Sequence, residues 1–98
     1  MTHTMREIAK TKLPKVEFIS EGSWGQRDVG AHESTMTLWT DGDSLMIEWD
    51  IPTLDEVEHI GLEMEGKRVV GYDGVMSFPR PAYKWLRSLG YRIARDII

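Results

Sequence analysis

Apolar positions recur with two different periods along this chain. Over residues 79–90 they return every three or four places: Ala82, Trp85, Leu86 and Leu89 fall at i, i+3, i+4 and i+7, opposite Arg80, Lys84 and Arg87. That stripe predicts an amphipathic helix. Pro79 and Pro81 suit its first turn, where backbone N–H groups have no intrahelical partner. Gly90 suits the left-handed residue after its end, with Tyr91 closing over the last turn.

Over residues 34–51 the period is two, as in a half-buried strand pair. Asp41-Gly42 reads as a two-residue type I′ turn. It would set Thr40 opposite Asp43, Leu38 opposite Leu45, Met36 opposite Ile47 and Ser34 opposite Trp49, with Trp39 and Met46 on the other face. Residues 59–72 repeat the pattern around Glu65-Gly66, pairing Leu62 with Val69, Ile60 with Gly71, Glu63 with Arg68 and His59 with Tyr72. Residues 16–20 read as a first strand and 21–30 as a glycine-punctuated loop. Residues 1–13 are expected to be flexible, with Pro14 ending any structure there. Thr53-Leu54-Asp55-Glu56 fits a capping box opening one helical turn. Ile93, Ile97 and Ile98 suggest a packed tail.

These elements predict a single α+β domain over residues 1–98. Its small, hairpin-rich antiparallel sheet has four to six strands, and one C-terminal helix packs on one face.

Charge changes this picture more than overall composition does. The net charge is −4, but an acidic stretch over residues 17–78 lies between basic ends. One account is that the ends fold back on the middle; another is an acidic face offered to a basic partner. The absence of cysteine excludes disulfides, thiolate metal sites and a cysteine nucleophile, and fits a reducing compartment. No apolar run approaches the roughly 18 residues of a membrane span, and no secretory signal is recognisable, so a cytoplasmic location is expected and no membrane contact.

Candidate chemistry is sparse. His3, His32 and His59 lack metal-ligand spacing, and no phosphate-binding loop or dinucleotide fingerprint occurs. No cofactor, no metal and no catalytic residue is assigned. The basic helix stripe reads as a solvated face, and direct nucleic-acid binding is not expected beside an acidic sheet. Tryptophan is the unusual residue. Trp49 and Trp85 are placed for the core, Trp24 on a loop, and Trp39 on the second sheet face, where such residues favour contact surfaces.

The function expected is therefore that of a non-catalytic interaction protein with a protein partner or a second copy of itself. Its candidate surface is the second sheet face with Trp39, Met46, His59, Val70 and Tyr72, or the acidic surface of Asp50, Asp55, Glu56 and Glu58. One alternative is an acidic mimic of nucleic acid that occupies a DNA-binding protein, of phage or mobile-element type. Another is a small enzyme using His59 with a nearby carboxylate.

Overall fold

The structure, a computed structural model, describes residues 4–22, 25–75 and 77–97, with side chains outside 16–30. Trp24, His3 and the side chains of Phe18 and Ile19 lie outside the described set. The chain forms six strands: β1 (Arg6–Gly22), β2 (Gly25–Thr40), β3 (Leu45–Ile51), β4 (Glu56–Glu65), β5 (Arg68–Asp73) and β6 (Arg92–Ile93). Their order in the sheet follows the sequence, β1-β2-β3-β4-β5-β6. The first five make an antiparallel meander. Helix α1 (Arg80–Ser88) bridges β5 to β6, which runs parallel to β5. A parallel neighbour needs such a crossover. The result is a mixed sheet curled into a half-barrel, where the sequence pattern suggested a smaller, wholly antiparallel one.

The N-terminal third departs most from expectation. From Arg6 onward the segment expected to be flexible is strand, and residues expected to be loop extend it as a long hairpin. Pro14 does not end β1 because it sits at a register break between Leu13 and Val16 on an edge strand, where its missing N–H costs no ladder bond.

In the β2–β3 hairpin, Thr40 pairs with Leu45, Trp39 with Met46, Leu38 with Ile47 and Met36 with Trp49. The loop is thus four residues long, two more than the Asp41-Gly42 turn implies. Side chains explain the longer loop. Asp41 Oδ1 accepts from the N–H groups of Asp43 and Ser44, both at 2.9 Å, and from Ser44 Oγ at 3.1 Å. Thr40 Oγ1 accepts from Gly42 N–H and donates to the Ser44 carbonyl. These local bonds stabilise a wider turn. Because the register shifts by two, every side chain keeps its expected face. Asp41→Ala should cost about 1 kcal/mol, read as a lower urea midpoint at unchanged slope.

The second hairpin turns on Gly66-Lys67, since Glu65 pairs with Arg68 and Met64 with Val69. Gly66 has φ 63° and no positive φ occurs at Lys67, as suits a type II′ turn with glycine in its first central position. A bulge then leaves Val70 unpaired, so that Gly71 pairs with Glu63 and Tyr72 with Leu62. The expected Glu63–Arg68 and His59–Tyr72 pairs do not form. Tyr72 instead packs against the core, its ring edge-on to Phe78 with centroids 5.2 Å apart.

The core fills the inner face of the half-barrel. Met36, Leu38, Ile47, Ile60, Val69, Ala82 and Leu86 are fully buried, and Trp49, Trp85 and Ile93 nearly so. The Trp49 indole N–H donates to Ser34 Oγ at 2.8 Å, which satisfies both buried groups. Helix α1 contributes Ala82, Trp85 and Leu86 as its spacing implies, but Leu89 lies outside the buried stripe, at the C-cap position and 38% exposed. The helix ends as a Schellman motif. Gly90 N–H bonds to the Arg87 carbonyl and Tyr91 N–H to the Leu86 carbonyl, with Gly90 at φ 97°.

Candidate interaction surface

The outer face of the sheet, opposite the helix, is ordered in rows by register. One row runs through Glu7, Trp39, Met46, Gly61 and Asp73. The next runs through Lys10, Thr37, Glu48 and His59, and a third through Lys12, Thr35, Asp50 and Val57. A bulge between Glu7 and Ala9 sets two residues of β1, Glu7 and Ile8, against Trp39. Ile8 is thereby added beside Trp39 and is 46% exposed. Met5 lines a shallow concavity with Met46 and Gly61 and is also exposed. Trp39 and Met46 are half-buried.

In the second and third rows charge divides by strand: Lys10 and Lys12 lie on β1, Glu48 and Asp50 on β3, and the uncharged Thr37 and Thr35 on β2 between them, whereas in the first row Glu7 on β1 lies beside Trp39. Thr37 is buried although it belongs to the outer face. Lys12 reaches Glu33 at 3.8 Å, and His59 Nε2 lies 3.7 Å from Glu48 Oε1. Both pairs are solvent-accessible, so each contributes about 0–1 kcal/mol.

Of the five residues expected on this face, the register gathers three. Trp39 and Met46 are direct neighbours, and His59 sits one row along beside Glu48. Val70 occupies the β5 bulge and Tyr72 belongs to the inner face. The acidic set is also divided. Asp50 pairs with Val57 on the outer face, whereas Glu56 pairs with Ile51 and Glu58 with Trp49, both core residues. Asp55 is the left-handed residue, φ 53°, that closes the 3-10 turn Pro52–Leu54. That turn has Pro52 at its start and no side-chain cap, so Thr53 does not build a capping box. Its Oγ1 shares a 2.6 Å hydrogen bond with His32 Nδ1, tying β2 to the turn.

For the enzymatic alternative, the relevant geometry is the His59–Glu48 pair, in which the His59 side chain is more than half exposed. Among the described residues, no three or more histidines and acids are grouped to hold a metal ion. No described helix is long and apolar enough to cross a membrane. The sequence pattern missed Met5 and Ile8, which become part of the face only through the β1 pairing and its bulge. No family model, curated protein or solved structure matches the chain.

Proposed function

We propose that the protein is a non-catalytic interaction module whose outer sheet face pairs with the same face of a second copy. The observation that carries this reading is the layout of that face: an apolar end at Trp39, Ile8 and Met46, continued by two rows in which Lys10 and Lys12 lie on one side of β2 and Glu48 and Asp50 on the other. A two-fold axis along β2 would lay Lys10 and Lys12 of each copy over Glu48 and Asp50 of the other, with Thr37 and Thr35 between them and Trp39, Ile8 and Met46 at one end. Such an interface is isologous and closes at two subunits. Burying these apolar side chains supplies affinity, and the charge rows set orientation. From Arg6 to Gly22, β1 lies beside β2 in the sheet, and Met5 before it adds to the apolar end of this surface.

Sedimentation over a range of concentrations tests the reading. The expected result is a reversible dimer that Trp39→Asp converts to a folded monomer. Lys10→Glu/Lys12→Glu and Glu48→Lys/Asp50→Lys should each weaken self-pairing, and mixing the two variants should restore pairing between them. A wild-type chain that stays monomeric throughout, or a Trp39→Asp chain that unfolds when dilute without any change in association, overturns it.

A further inference from the structure

At the other end of the sheet, away from the proposed pairing face, a cleft of about 760 Å³ opens between the end of α1 and the edge strand β6. Arg68, Arg87, Arg92 and Arg95 line it, with Tyr91 and Ile93. All four arginines are exposed. The register makes Arg68 and Arg92 direct neighbours on parallel strands. Like charges placed side by side across a ladder destabilise it, and here Glu65, opposite Arg68 on β4, offsets only one of the two arginines. The Lys12–Glu33 ion pair and the His59–Glu48 contact, among the described residues, lie elsewhere. Asp96 is the one carboxylate lining the cleft. Arg87 donates to the Tyr83 hydroxyl at 3.3 Å, and its guanidinium lies 5.9 Å from the centre of that ring. The chain as a whole is acidic, so this concentration of positive charge is local.

We propose that the cleft binds a phosphate-bearing small molecule of nucleotide size. Three observations select that chemistry. Every cation lining the cleft is arginine, although the chain also carries lysine; the planar guanidinium fork matches phosphate oxygens two at a time, which an ammonium cannot do. Four guanidinium groups exceed what one carboxylate engages and suit the several charges of linked phosphates. The volume lies in the range of small-molecule sites, and the half-buried Tyr91 offers an aromatic surface beside the cations. The site is independent of the dimer reading, since none of its residues belongs to the outer-face rows around Trp39.

The test is titration of the full chain with inorganic pyrophosphate and with ATP, followed by calorimetry and by amide shifts of the cleft residues. The expected result is saturable one-to-one binding that moves the Arg68, Tyr91, Arg92 and Arg95 amides. Arg68→Gln/Arg92→Gln should weaken it by at least about tenfold. Arg80→Gln/Lys84→Gln, which removes equal charge from the helix face outside the cleft, should change it by less than about twofold. The Arg68/Arg92 variant should melt close to wild type, because it removes two adjacent like charges and, with Arg68, one opposite-charge pairing to Glu65. If it does not fold, Arg95→Gln carries the same affinity measurement from outside the sheet. Equal weakening by both double variants, citrate binding as tightly as pyrophosphate, or binding of a long oligonucleotide alone would each overturn the proposal.

Discussion

Trp85→Ala lowers the stability of the domain by about 3–5 kcal/mol, a large part of the 5–15 kcal/mol typical of a chain this size. The effect follows from where the indole sits. Trp85 is only 9% exposed, near the centre of α1, and belongs to the same core cluster as Met36, Leu38 and Leu86. It also forms a wall of the groove, about 520 Å³, that separates α1 from Thr11 and Leu13 of β1. This is the open seam of the half-barrel. Removing the ring joins the seam to the core, so the loss includes both the buried area and the space left behind. Leu89→Ala, at a position 38% exposed, should change stability by no more than about 0.5 kcal/mol. Denaturant unfolding of the two variants measures the contrast. A Trp85→Ala chain that melts within a degree or two of wild type would make the helix peripheral.

Gly74→Ala should be the most costly of the turn glycine substitutions, at about 2–4 kcal/mol. Gly74 has φ 92°, which already disfavours a side chain, and a Cβ there would overlap the carbonyl oxygen of His59 on β4. That obstacle is backbone and has no rotamer to give. Gly66 provides the comparison, because it also has positive φ but open space around its Cβ position. Gly66→Ala should cost only the conformational part, about 1 kcal/mol. The difference between the two isolates the close approach of the β5–α1 connection to β4. Equal costs would show that the connection moves aside.

The comparison between sequence and structure separates local signals from those that need a partner strand. The helix stop was fully legible, because Gly90 and Tyr91 complete a motif built within six consecutive residues. The faces of the β2–β3 hairpin were legible even though its register was not, since an error of two residues preserves side-chain alternation. The bulge at Val70 introduced an odd shift, and that alone carried Tyr72 from the outer to the inner face. Nothing in residues 68–72 announces a bulge without its partner strand. Pro14 was misread because a proline that breaks a helix or a central strand is acceptable at an edge irregularity, and edge position is a property of the whole sheet. The arginine cleft was hidden for a similar reason. Arg68 is 24 positions from Arg92, and only the parallel pairing of β5 with β6 makes them neighbours. The excess positive charge of the C-terminal stretch was visible, but its convergence on one cleft was not.

A half-barrel leaves its first strand with one unpaired edge, and that has a consequence for how the protein behaves in concentrated solution. Such an edge is a row of N–H and C=O groups able to template another strand, and so to seed fibrils. Along β1 the edge carries Lys10, Lys12, Pro14 and Lys15, all exposed. Two copies meeting edge to edge would bring lysine rows together and meet a proline that offers no donor. The basic N-terminal stretch therefore acts as a guard against aggregation, whatever the protein binds. Modification that neutralised those lysines would weaken that guard without touching the core.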